Sequence, residues 1–153
     1  MRQGECCNWV YASAMLSLPR ASGVRDIAKP RRIMIVDDNA DSAELLLLVL
    51  SRAGYELRVA NTPAAALTLA EEFCPHIALI DIGLPEMDGY QLLAALCAKP
   101  QLAGCRFIAV SGYPREADAR RTDGQRSFER HLVKPVDFDV LLETVASLET
   151  ALG

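Results

Sequence analysis

The 153-residue chain lacks any apolar run long enough to cross a membrane, any Cys-x-x-Cys pair, any internal repeat and any low-complexity tract. The first absence removes membrane-spanning roles. The second, with an odd total of five cysteines (Cys6, Cys7, Cys74, Cys97 and Cys105), speaks against a zinc site or a disulfide framework and for a reducing cytoplasm. Cys74 and Cys97 fall near the ends of expected helices and read as small buried hydrophobes. A surplus of positive charge is also missing where it would matter. Residues 1–32 carry six Lys/Arg and two Asp/Glu, whereas residues 33–153 carry ten and eighteen, a net −8. So acidic a domain is unsuited to sequence-independent binding of nucleic acid. The basic segment at the start reads as a solvated tail rather than a contact for an acidic partner. Its weakly apolar stretch, 9–18, is a poor secretory signal. Residues 1–31 are expected to be a disordered extension, or the product of a start placed too early. Lys29-Pro30-Arg31-Arg32 then serves as a linker.

What remains is one ordinary globular domain, about residues 32–150. From Ile33 onward, strand and helix patterns alternate. Strands are expected at 33–36, 57–60, 77–81, 107–111 and 130–133. Helices are expected at 40–53, from 63 to about 72 or 73, at 89–98, from 115 to about 126, and from 138 through 148. Gly54 stops the first helix, and Thr62-Pro63 opens the second with a cap and a proline at the first helical position. Asp88 and Asp137 cap the third and the last. Leu45, Leu46, Leu48, Val49 and Leu50 supply the apolar side of the first helix. Strict alternation implies an α/β fold: a five-stranded parallel sheet, doubly wound, with helices on both faces. The flavodoxin-like (βα)5 order 2-1-3-4-5 fits, and its ligand crevice lies between strands one and three at their C-terminal ends.

Those two strands end in acid. Ile33-Met34-Ile35-Val36 runs into Asp37-Asp38, and Ile77-Ala78-Leu79-Ile80 into Asp81. Three carboxylates at one sheet edge repel one another unless a cation joins them. A hard divalent cation with oxygen ligands is the economical solution, and Mg²⁺ is the expected one. Strand four ends in Ser111-Gly112, and strand five in Lys134-Pro135. Each feature alone has a plain structural reading. Asp37-Asp38 is a helix cap, Asp81 a turn residue, Ser111-Gly112 a turn and Lys134 a solvated lysine. Their joint occurrence, in order, on strand ends, outweighs those readings.

The set Val-Asp-Asp-Asn at 36–39, Asp-x-x-Leu-Pro-x-Met-Asp-Gly at 81–89, Ser-Gly at 111–112 and Lys-Pro at 134–135 resembles the receiver domain of two-component response regulators. The resemblance covers about residues 31–149. It implies that Asp81 accepts a phosphoryl group from a phosphohistidine on a histidine kinase or phosphotransfer protein. It implies Mg²⁺ held by Asp38 and Asp81 directly, by Asp37 through water and by the backbone carbonyl of Gly83. Lys134 would pair with Asp81 and then with the phosphoryl oxygens. Ser111 would donate its hydroxyl to one of them, and the Lys134-Pro135 bond would be cis. The chain would be a phosphoacceptor and not a turnover enzyme. As a single receiver without an output domain, it would act by docking on another protein, with a phosphorylation-dependent homodimer left open. The run 131–137 is similar to receivers attached to hybrid sensor kinases.

Several positions depart from the family pattern. His131 stands three before the lysine, where Tyr or Phe is common. It is expected either to act with Ser111 as a rotameric switch or to sit as a static, partly exposed histidine. His76 reads as an ordinary surface residue. Arg126-Ser127 replaces the usual Ala-Gly, so the helix before strand five is expected to end early, at Gly124. Gly83 and Tyr113 flank the acceptor where family members tune phosphoryl lifetime, and together they imply slow self-dephosphorylation. Arg115, Arg120, Arg121, Arg126 and Arg130 either meet an acidic partner or form a solvated face. Two other classes compete. One is a pseudo-receiver that binds constitutively. The other is a phosphatase using the strand-one aspartate, against which Asp37-Asp38-Asn39 lacks the usual Asp-x-Asp.

Overall fold

The computed structural model describes residues 30–112 and 128–151. Five strands, β1 (Arg32–Val36), β2 (Glu56–Ala60), β3 (Ile77–Asp81), β4 (Arg106–Ser111) and β5 (Arg130–Val133), form one sheet in the order β2-β1-β3-β4-β5. Every pairing is parallel. Four described helices connect or follow them: α1 (Ala40–Arg52), α2 (Pro63–Phe73), α3 (Gly89–Cys97) and α4 (Phe138–Ala151). The expected strand order holds, and so does the alternation wherever the connecting residues are described. The polar helix expected at 115–126, its early end at Gly124, Tyr113 and four of the five arginines lie outside the described residues, as does the extension 1–29.

The sheet separates two apolar layers. Alternate residues of β1 and β3 point to opposite sides, as pleating requires. Ile33, Ile35, Ile77 and Leu79 pack with Leu46 and Leu50 of α1 and Leu141 and Val145 of α4. Met34, Val36, Ala78 and Ile80 pack with Ala66 and Ala70 of α2 and Leu92 and Leu96 of α3. With both faces covered, β1 and β3 are buried along their whole length. That is why they read as unbroken apolar runs.

Helix α1 buries Ala43, Leu46 and Leu50, a stripe one turn apart, and leaves Leu45 and Leu48 about half exposed. The sequence made its apolar side too wide. A six-residue leucine–valine run, 45–50, exceeds what one face of a 3.6-residue helix can bury. The Asn39 side chain accepts from the Ser42 N–H at 3.1 Å and caps the helix, which frees Asp38 from that task. Gly54 at φ 94° ends it. Thr62 caps α2, and Asp88 forms a reciprocal capping box with Gln91 on α3. The Asp137 carboxylate accepts from the N–H groups of Asp139 and Val140, so α4 starts as expected and runs to Ala151, three residues further. A short 3-10 turn, Pro100–Leu102, was not foreseen.

One reading of the sequence needs correction at the N-terminal edge of the sheet. His76 is not an ordinary surface residue. Its Nδ1 accepts from the Arg32 N–H at 3.0 Å, and its own N–H donates to the Arg32 carbonyl at 2.9 Å, stitching β1 to β3. The buried Arg32 guanidinium donates twice to the Cys74 carbonyl, at 3.1 and 2.9 Å. Cys74 is buried, as expected, in the left-handed C-cap of α2. Among the described residues, Cys97 and Cys105 are free thiols.

Candidate functional site

Parallel pairing brings the C-terminal ends of all five strands to one edge, and the predicted residues stand there. Register pairs Val36 of β1 with Ile80 of β3, so Asp37 and Asp81 emerge side by side. Asp81 is opposite Val110, and Ser111 is opposite Val133, so the strand ends step in order toward Lys134. Asp37, Asp38 and Asp81 each bring a carboxylate oxygen within 4.8 Å of the others. Asp37 and Asp81 are buried, 1% and 7% exposed, while Asp38 faces solvent.

Lys134 offsets that charge. Its ammonium lies 3.1 Å from Asp81 Oδ2 and 3.3 Å from Asp37 Oδ2. The lysine is fixed by its own backbone. Its N–H donates to the Ser111 carbonyl at 2.8 Å, and the peptide bond to Pro135 is cis, as the resemblance implied. Ser111 itself is buried at the end of β4. The two inner carboxylates have their remaining oxygens engaged. Asp81 Oδ1 accepts from the Gly83 N–H at 3.0 Å, and Asp37 Oδ1 from the Asn39 N–H at 2.9 Å. The Asp81 carboxyl is held above its usual range, first by burial and then by the neighbouring Asp37 charge; the Gly83 N–H and Lys134 oppose this. Burial works to lower the Lys134 ammonium, but the bonds and charges of Asp81 and Asp37 outweigh it and raise it.

The donor set suits a hard divalent cation: three carboxylates converge, and the exposed one already brings an oxygen to the two buried ones. Both oxygens of Asp37 and both of Asp81 are already hydrogen-bonded, so a cation would share them with Lys134 and the backbone N–H groups. An acidic carboxylate beside a fixed ammonium and a cation site can accept an electrophilic phosphoryl group, because such transfer needs positioning and charge neutralisation above all.

The loop from Asp81 to Gly89 is shaped by packing. Ile82 and Leu84 are buried, and the Gly89 N–H donates to the Ile82 carbonyl at 3.0 Å. A Cβ on Gly89 would lie 2.8 Å from Ile82 Cα and 3.1 Å from the Asp81 carbonyl oxygen. Only glycine allows α3 to start this close to the acceptor's backbone. A Cβ on Gly83 would instead meet Asp81 Oδ1 at an ordinary 3.6 Å.

His131 is half-buried on β5, with its ring 5.9 Å from Phe128 in an edge-on contact. Phe128 makes a second such contact with Tyr90 at 5.4 Å. Sequence reasoning missed Tyr90 as a partner of Phe128, because that contact joins α3 to the segment before β5. It also missed Asn61, whose side chain donates to the Asp37 carbonyl at 3.0 Å. No local pattern marks that residue; its role follows from β2 lying beside β1.

Known proteins agree with this geometry. Residues 33–146 match the family model for the response regulator receiver domain. The polar-differentiation response regulator DivK of Brucella anthropi is 31% identical over 118 residues, 77% of this chain and 95% of that protein. A putative response regulator from Chloroflexus aurantiacus superposes with a TM-score of 0.70 at 30% identity, covering 78% of this chain and 98% of that one. A CheY-like receiver domain protein from Methanospirillum hungatei gives 0.70 at 30%, covering 80% and 96%. The acid cluster at the β1 and β3 ends, the lysine that bridges it and a match across most of the chain together place this protein in the response regulator receiver domain family.

Proposed function

We propose that the chain is a phosphoacceptor in a two-component phosphorelay, with Asp81 taking a phosphoryl group from a phosphohistidine of a histidine kinase or phosphotransfer protein. The observation that carries this reading is the Lys134 ammonium bridging Asp81 and Asp37 inside a cluster of three carboxylates. An Asp81 carboxylate oxygen forms the new bond to phosphorus while the phosphorus–nitrogen bond breaks and the imidazole leaves. Mg²⁺, held by Asp38, Asp81 and the Gly83 carbonyl, with Asp37 acting through water, would neutralise charge on the transferring group. Lys134 then moves from pairing with the Asp81 carboxylate to pairing with a phosphoryl oxygen, a short shift for a flexible ammonium. Ser111, on the adjacent strand end, donates its hydroxyl to another. Its inward movement opens room beside His131, so the docking surface around β5 and α4 changes for a downstream protein. The product is a stoichiometric aspartyl phosphate, and the chain is not a turnover enzyme. A phosphohistidine donor of this kind would meet the chain in the cytoplasm; among the described residues no helix is long and apolar enough to cross a membrane.

Intact mass after incubation with acetyl phosphate and Mg²⁺ tests this. One phosphoryl adduct is expected on the natural chain, and none on Asp81→Asn or without the cation. A folded, metal-binding chain that takes no adduct from acetyl phosphate or from a phosphohistidine protein would be a pseudo-receiver. Release of phosphate from an ester over many turnovers would make it a phosphatase.

A further inference from the structure

Asn61 stands outside every motif that defines the site, yet it reaches the site's backbone. It directly follows the last residue of β2, Ala60, whose carbonyl accepts from the Asp37 N–H at 3.1 Å. It directly precedes Thr62, which is itself fixed as the cap of α2 by accepting from the Ala65 N–H at 3.1 Å. A residue pinned on both sides offers its side chain as a fixed donor. That donor, Nδ2, lies 3.0 Å from the Asp37 carbonyl oxygen.

This carbonyl belongs to the peptide unit joining Asp37 to Asp38. The unit is planar, so fixing its oxygen fixes the direction in which the Asp38 backbone leaves. On the other side of Asp38, the Asn39 N–H is held by Asp37 Oδ1 at 2.9 Å, and Asn39 caps α1. Asp38 is thus an exposed carboxylate between two fixed peptide units, and no hydrogen bond to its side chain exists among the described residues. Of the three clustered carboxylates, it is aimed by its backbone alone.

We infer that Asn61 is a positioning residue for the cation site: by holding the Asp37 carbonyl it presets Asp38 toward Asp37 and Asp81. The inference rests on the cation site proposed above. An outer contact of this kind raises affinity by removing the ordering that a ligand would otherwise undergo on binding. Asn61 itself touches neither cation nor phosphoryl group.

The test is a titration of the full chain with Mn²⁺, which takes a similar oxygen set, read from the electron paramagnetic resonance signal of the free ion. Asn61→Leu keeps the side chain's size and removes the donor. It is expected to weaken Mn²⁺ binding about threefold to tenfold, the worth of one hydrogen bond. Melting of the cation-free protein should change little, because Asn61 is exposed. Asn61→Ser, too short to reach, gives the same loss and serves if the leucine variant folds poorly. Unchanged affinity in a folded variant would overturn the inference while leaving the cation site intact. A natural chain that binds no Mn²⁺ would overturn the site and the inference together. A melting loss without an affinity loss would make Asn61 merely structural, and would also overturn it.

Discussion

Replacing Lys134 with methionine should destabilise the protein without divalent cations, and Mg²⁺ should restore more stability to the variant than to the natural chain. The ammonium lies 3.1 Å from one buried carboxylate and 3.3 Å from a second. At an effective dielectric constant of about 20, each pair attracts by about 5 kcal/mol before desolvation is counted. Desolvation of three charged groups cancels much of that in the intact site. Removing only the cation leaves its cost behind, with two like charges facing each other. Breaking a buried pair in this way costs about 3–5 kcal/mol. Two features soften the loss here. The lysine side chain is 29% exposed, and the Asp81 carboxyl, already raised, can take up a proton once its partner is gone. We therefore expect a loss of about 2–3 kcal/mol, or roughly 5–10 °C in melting temperature for a domain of this size.

Urea unfolding in chelator, repeated with Mg²⁺, reads both parts of this prediction. Methionine keeps the stem's length and packing, so lost apolar contact does not confuse the result. The variant carries one more uncompensated negative charge, and a divalent cation should bind it more tightly and raise its stability further. Two results would refute the reasoning. A loss within about 0.5 kcal/mol, the size of an ordinary surface substitution, would mean the bridging ammonium stabilises nothing. A larger Mg²⁺ gain in the natural chain would mean the cation and Lys134 do not compensate the same charge.

Other predictions use different parts of the molecule. His76 is held down to about 4, first by burial and then by the Arg32 and Arg31 charges. Above about 6.5 both folded and unfolded chains keep it neutral; between 6.5 and 4 only the unfolded chain takes up the proton, so stability falls as pH falls through that window. Discounted for the ring's partial exposure, the loss is about 1–2 kcal/mol, and His76→Asn, which keeps an acceptor without titrating, should flatten that part of the urea-midpoint profile. Gly89→Ala should cost about 2–3 kcal/mol in urea unfolding, because the added Cβ meets backbone at 2.8 Å that cannot yield without moving the acceptor loop. Self-dephosphorylation should be slow, since Gly83 presents no side chain to orient water; loss of the adduct within seconds, followed by mass, would refute this. His131→Phe should alter the difference in partner affinity between the two phospho-states, and equal affinities for natural and variant chains in both states would end its role as a switch.

The residues legible in sequence share a property: each does its work at the end of its own strand. Asp37, Asp81 and Ser111 close apolar runs that identify themselves as buried parallel strands, and Lys134 follows the short, half-exposed strand β5, so position and chemistry can be read together. The same logic gave strand order, because a fold of alternating elements with short connections admits few arrangements. Misreadings arose where a side chain answers to a neighbour far along the chain. His76 looked like a surface residue because nothing near it in sequence reveals that its ring accepts from Arg32, forty-four positions earlier. Leu45 and Leu48 looked like core because composition alone cannot say which part of a leucine-rich helix meets the sheet.

Asn61 makes the distinction sharpest. An asparagine before Thr62-Pro63 is ordinary turn chemistry, which is why the sequence does not single it out. Its second role arises only because β2 lies against β1 in a register that pairs Val36 with Ala60. That register sets the Asp37 N–H on the Ala60 carbonyl and brings the next side chain to the Asp37 carbonyl. A shift of one residue would turn the side chains of β2 to the opposite faces and separate Asn61 from its acceptor. Pairing of an edge strand that carries no part of the acid cluster thereby fixes the peptide unit from which Asp38 is aimed. Substitutions that loosen β2 should therefore weaken cation binding before they unfold the domain.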